Sequence, residues 1–266
     1  MEIPDSKWYS VIDKRRSRRS FETRLLESNH LTHVRSICND FKPFPDNRSV
    51  LVNEPSDIVF KGALGPYGKI RGAPAFIAFI GKKENPNVQE QVGYIGEGII
   101  LEAEAMNLST CWVALFRSKI VESLIELENN EQVLAIAAIG YAKKQESIEE
   151  RMMTGFGWTH RRKSLSDLVI GFEGVDYPQW VLSALNAARL APSAVNRQPW
   201  RFQVDSNGIT VSVNSIKKEY GVSRRLDCGI AMLHIEVAAL NSGINGNWEF
   251  LKQPDVAKYA IKTKAG

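Results

Sequence analysis

The chain has 266 residues, 44% hydrophobic and 24% charged, and its 34 basic and 30 acidic side chains leave a formal net charge of +4. That composition excludes a disordered polymer and supplies enough apolar side chains for a large core, while so small a charge gives no reason to expect a nucleic acid or an anionic membrane as partner. Cys38, Cys111 and Cys228 are odd in number and widely spaced, so they read as buried thiols rather than a disulfide framework or a zinc ribbon. The acidic first residues do not read as a secretory signal and no apolar run reads as a membrane span, so the expected location is the reducing cytoplasm.

Ser6 to Asp13 reads as a short helix with Trp8, Val11 and Ile12 on one face. It delivers Arg15-Arg16-Ser17-Arg18-Arg19-Ser20. If that run is extended, Arg15, Ser17 and Arg19 share one edge and Arg16 and Arg18 the other. Two guanidiniums and a hydroxyl on one edge suit a phosphate dianion; a solvated basic face or a weak nucleic-acid patch is the alternative. A second helix is expected over Asn29–Asp40, then a proline-containing loop and a strand over Val50–Asn53. The continuous apolar runs Ala73–Ile80 and Val133–Tyr141 read as strands buried on both faces. Between them a helix carries Ile95, Ile99, Ala103 and Met106. The Gly93–Gly98 stretch lacks the order of a dinucleotide loop, and His30 and His33 have no partners to complete a metal shell, so no metal is expected.

Arg161-Arg162-Lys163 is a basic segment or a charged linker. After it, Gln179–Leu190 reads as a helix begun by Asp176 and Pro178. The loop Ala191–Trp200 then sets Ser193, Asn196 and Gln198 between Pro192 and Pro199. A hydroxyl and two amides can donate and accept at once, as reading a flat heterocycle requires; an ordinary helix-to-strand loop is the alternative. Arg201–Val204 and Ile209–Val213 form a hairpin around Asp205-Ser206-Asn207-Gly208. A last helix bears Ile230, Leu233, Val237 and Leu240. Two parallels suggest copies: helix, loop with Asn-Arg (Asn47-Arg48, Asn196-Arg197), strand; and a helix with an early glycine (Gly98, Gly229) leading to Trp112 or Trp248. Two unrelated core helices remain the alternative. The class is α+β, with halves 1–172 and 173–266.

The segment from Pro192 to Trp200 resembles the Pro-Ser-x-x-Asn-x-Gln-Pro-Trp segment of the FMN-dependent nitroreductase family. Arg15 to Ser20 resembles the family's Arg-x-Ser-x-Arg phosphate motif. The resemblance implies a nitroreductase-like fold with a central helix-covered sheet and two pseudo-repeated halves in one chain, a fused pseudo-dimer that is a monomer or a weak homodimer. It implies FMN with its phosphate among Arg15, Arg16, Ser17, Arg19, Arg162 and Lys163, and its ring edge against Pro192, Ser193, Asn196 and Gln198. Lys69 would face the pyrimidine side of the ring, and Ala114 and Leu115 stand where the family often has Glu-Gly beside flavin N5. Lys69 and Leu115 are the catalytic candidates. The implied activity is NAD(P)H-dependent reduction of nitroaromatics, quinones or similar flat small-molecule acceptors. A flavin-binding protein without turnover and a basic-patch nucleic-acid binder are the alternatives.

Overall fold

Strands that are apolar along their whole length need cover on both faces, and the fold supplies it. The computed structural model describes residues 1–54, 57–60, 70–113, 115–143, 161–217 and 221–262. In chain order these form α1 (Asp5–Ile12), α2 (Ser28–Asp40), β1 (Asn47–Val52), α3 (Asp57–Phe60), β2 (Ala75–Lys82), α4 (Val88–Ala105), β3 (Ser109–Val113), α5 (Ser118–Ser123) and β4 (Glu131–Gly140). There follow α6 (Leu165–Leu168), α7 (Gln179–Leu190), β5 (Trp200–Asp205), β6 (Gly208–Val213), α8 (Arg224–Asn241), β7 (Gly246–Phe250) and β8 (Asp255–Ile261). No helix among the described residues is long and apolar enough to cross a membrane.

The strands divide between two antiparallel sheets of four, ordered β1-β2-β4-β3 and β5-β6-β8-β7. In each, a long helix, α4 or α8, is inserted between the second and third strands of the sequence. One apolar core joins Ile95 and Ile99 of α4 to Ala231 and Leu233 of α8. A second cluster, with Phe21, Phe76, Ala78 and Ile136, covers the other face of the first sheet. This explains why β2 is buried from Ala75 to Gly81. Cys38, Cys111 and Cys228 are all buried.

The two long helices cross at Gly93 and Gly229, each the sixth residue of its helix. A Cβ on Gly93 would strike the carbonyl oxygen of Leu226, and one on Gly229 that of Glu90. The partner of Gly229 is therefore Gly93 rather than Gly98, which instead lies against Trp8 and Phe41. Beside the crossing, Arg225 donates twice to the buried carboxylate of Glu90, at 2.9 and 2.5 Å. The two Asn-Arg pairs do not correspond: Asn47-Arg48 opens β1, where Arg48 grips Glu131 at 2.7 Å through Nε and Nη2, whereas Asn196-Arg197 precedes β5.

Candidate functional site

After α1 the chain runs extended along the end of the first sheet. Ser17 bridges Thr110, the Arg18 N–H donates to the Thr110 carbonyl at 2.9 Å, and the Arg71 N–H donates to that of Arg19 at 2.9 Å. The sheet thus fixes the backbone from Ser17 to Ser20, while the Arg15 N–H still donates to the Val11 carbonyl of α1 at 2.8 Å. Arg15 turns inward and is buried, its Nε 3.8 Å from Glu97 Oε1. Arg16 is exposed and donates to the carbonyls of Asp13 and Arg15 at 2.7 and 2.9 Å. Arg18 reaches the Lys143 carbonyl at 3.0 Å, and Arg19 Nη1 that of Ser17 at 3.3 Å.

The loop after α7 is shaped by unusual backbone. Val195, Asn196 and Gln198 have φ of 49°, 54° and 48°, the left-handed region that side chains other than glycine visit rarely and β-branched ones least. Asp227 of α8 holds this turn from beneath: its Oδ1 accepts from the Ala194 N–H at 3.1 Å and its Oδ2 from Arg197 Nε at 2.7 Å. Ser193 Oγ accepts from the Gln198 N–H at 2.9 Å. Strain of this kind persists only where the surroundings over-determine it, which is common at ligand sites.

The amides of this loop grip the segment 161–163. Gln198 Oε1 accepts from the Lys163 N–H at 2.8 Å, while its Nε2 donates to the Arg161 carbonyl at 3.0 Å. Asn196 Nδ2 donates to the same carbonyl at 2.9 Å, and its Oδ1 accepts from Arg162 Nη1. Arg162 Nη2 reaches the Leu190 carbonyl at 3.1 Å, and Lys163 Nζ those of Arg197 and Gln198 at 3.0 and 3.2 Å. These contacts bring Arg162 to the arginine run from a position far along the chain. Its guanidinium is pushed down to about 10 by burial first, and then by the charges of Arg15, Arg16 and Arg189. Lys163 is lowered too, by burial and by Arg201.

Arg162 is therefore within electrostatic reach of Arg15 and Arg16 of the N-terminal run and of Arg189 in the last turn of α7. The buried Nε atoms of Arg15 and Arg189 have no hydrogen-bond partner among the described residues. Mutual repulsion of this kind is relieved by an anion able to accept several charge-assisted bonds. Arg189 and Asp227 escaped the sequence reading. The first stands just before the Pro192 loop, a placement that could have marked it; nothing local marks the second. Pro192 is buried at the end of α7. Lys69 and Ala114 lie outside the described residues. Leu115 is exposed beside Gly221, where an added Cβ would sit 3.7 Å from Leu115 Cδ2.

Comparisons with known proteins bear on this arrangement. A family model described as "Putative TM nitroreductase" matches residues 7–239. No curated protein matches the chain. Among solved structures, a "putative nitroreductase" from Thermotoga maritima MSB8 superposes with a TM-score of 0.60 at 18% identity, covering 96% of this chain and 92% of its own. A nitroreductase family protein from Clostridium difficile 630 gives 0.47 at 21% identity, over 63% of this chain and 98% of its own. An FMN-dependent nitroreductase from Clostridium difficile R20291 gives 0.44 at 18%, over 62% and 96%. At such identities the Thermotoga likeness, which spans nearly the whole chain, establishes the fold.

Proposed function

The chain belongs to the nitroreductase family described by that model, and from this premise we propose that it is an FMN-dependent NAD(P)H oxidoreductase reducing flat acceptors such as nitroaromatics and quinones. The observation that carries the proposal is the convergence of Arg15, Arg16, Arg162 and Arg189, with the buried Nε atoms of Arg15 and Arg189 unpartnered among the described residues. A terminal phosphate dianion fits that donor set, and FMN carries one beside a flat ring. Bound FMN would supply hydride acceptance and return, the protein supplying orientation and charge.

In this reading each wall has a separate task. Arg15, Arg19 and Arg162 hold the phosphate, with Ser17, Arg16 and Lys163 beside them. Pro192 and Ser193 lie along the ring. Asn196 and Gln198 work one step back, because their amides are engaged with 161–163 and so aim Arg162. Lys69, by resemblance alone, would face the pyrimidine side and stabilise negative charge there. By the same resemblance residues 114 and 115 would contact N5, and the exposed Leu115 would help to keep water from the face where donor and acceptor alternate.

The equal strand orders and the reciprocal Gly93–Gly229 crossing favour reading the chain as two fused copies, 1–172 and 173–266, that supply both walls of one site. A self-contained pseudo-dimer needs no second chain. The test is spectroscopic: protein purified with FMN should carry one flavin per chain and bleach anaerobically with NADH or NADPH. Bound flavin that neither donor bleaches would leave a flavin-binding protein without turnover. Protein that takes up no flavin at all would overturn the proposal.

A further inference from the structure

Behind Arg15 lies a buried cluster that the proposed chemistry does not use. Glu97 of α4 and His234 of α8 are both fully buried. His234 Nδ1 is 2.8 Å from the carbonyl oxygen of Ala187, in α7, and its Nε2 is 3.0 Å from Glu97 Oε1. A carbonyl can only accept, so Nδ1 carries a hydrogen. A neutral imidazole would then present a bare lone pair at Nε2 to an ionised carboxylate, two acceptors facing each other in a dry interior. The contact at 3.0 Å requires one further proton, on Nε2 or on the carboxyl. The other carboxyl oxygen, Oε2, accepts from Trp112 Nε1 at 2.8 Å. The remaining titratable groups here are Arg15, whose Nε stands 3.8 Å from Oε1, beyond hydrogen-bond reach, and Glu104, whose carboxyl is raised by burial and accepts from Thr110 Oγ1 at 2.7 Å.

We propose that Glu97 and His234 hold one shared proton, so that the pair is neutral, and that they act as positioning residues leaving the charge of Arg15 to the anionic end of the ligand. The pair bonds Trp112 of β3 and Ala187 of α7, which precedes the Pro192 loop, His234 itself belongs to α8, and Arg15 of the N-terminal run lies beside it. Were Glu97 a bare anion, its closest cation would be Arg15, and the guanidinium would be neutralised from behind. With the proton shared, Arg15 keeps a net positive field toward the phosphate.

The inference rests on the flavin reading for its ligand, and a cycle of isosteric variants tests it with FMN and riboflavin as paired probes. In Glu97→Gln the amide donates to an acceptor Nε2 and accepts from Trp112 with no charge created, so FMN affinity should stay within about twofold. His234→Gln offers Glu97 an amide N–H but no transferable proton, so the carboxylate becomes anionic beside Arg15. FMN affinity should fall at least about tenfold while riboflavin changes less than about twofold. The double variant should recover FMN binding. A merely structural role predicts instead equal losses for both probes and no recovery, which would overturn the proposal, as would tenfold tighter FMN binding by Glu97→Gln. Independently of folding in the variants and of any ligand, ¹⁵N-histidine and ¹³C-glutamate spectra of the wild-type protein read the pair directly. An unprotonated Nε2 on His234 together with an ionised Glu97 carboxyl would sink the idea. If the wild type binds neither probe, the flavin reading fails, and those spectra still decide the state of the pair.

Discussion

Gly93 and Gly229 meet the opposite helix in the same way, each packed against the carbonyl of the other helix's third residue, Leu226 or Glu90. Two helices that share such a contact have their axes too close for any side chain at either glycine. Gly93→Ala and Gly229→Ala should each lose about 2–3 kcal/mol in urea denaturation, because separating the helices outweighs the roughly 1 kcal/mol that alanine contributes in a helix interior. The double variant should cost less than the sum, since one displacement relieves both clashes. Additive losses would show that the two sites do not share a crossing.

Removing a charge-assisted contact to phosphate costs about 1.5–3 kcal/mol, roughly 10- to 150-fold in affinity. Arg15→Ala and Arg162→Ala should therefore weaken FMN by that factor and riboflavin by little. Because Asn196 Oδ1 accepts from Arg162, Asn196→Ala should follow the arginine pattern, and combining it with Arg162→Ala should add little. Calorimetry with both ligands checks this. An Asn196→Ala protein that loses riboflavin as strongly as FMN would place that amide on the ring.

Burial, the largest influence, raises the Glu104 carboxyl from 4.5 to about 7, while Thr110 and Arg15 pull the other way. Between those two values the folded chain holds a proton that the unfolded chain has released. Stability from this group is accordingly full below pH 4.5 and declines as pH rises to 7, by at most about 3 kcal/mol. Glu104→Gln should flatten that decline and be the more stable protein at pH 8. Thermal melts across pH 5 to 8 measure it; identical slopes for the two proteins would mean that Glu104 ionises without cost.

Val195 is exposed and holds φ of 49°, a conformation that costs a β-branched residue about 1–2 kcal/mol. Asparagine tolerates it better, so Val195→Asn should raise stability by about 1 kcal/mol while leaving in place the hydrogen bonds that Asp227 accepts and those that the Asn196 amide makes. A melting temperature that rises by a few degrees bears this out, and one that falls shows that the valine side chain contributes packing.

Elements with a strong period or strong punctuation were readable before folding. Gln179–Leu190 has the bounds that Pro178 and Pro192 suggest, and the hairpin around Asn207-Gly208 forms where its turn demands. The strands β7 and β8 were not readable, because Gly246–Phe250 is a short edge strand of alternately half-buried and exposed residues and Asp255–Ile261 mixes Lys258 with apolar neighbours. In the site, the two motifs stood out as strings of residue types. What they touch did not: the direction of the Asn196 and Gln198 amides depends on 161–163 arriving from 35 residues away, and the pairing of Glu97 with His234 spans 137. Contacts at such separations leave no local periodicity.

Because both sheets and both crossing helices are encoded in a single stretch of polypeptide, a substitution in this molecule is made once. In a symmetric pair of identical subunits every change to one wall appears in the other, so a residue must satisfy two environments at the same time. Here Glu90 and Leu226 occupy matching positions at the crossing yet differ in chemistry, one taking Arg225 and the other apolar neighbours. The architecture frees each sheet and its long helix to diverge without a mirror image having to tolerate the change.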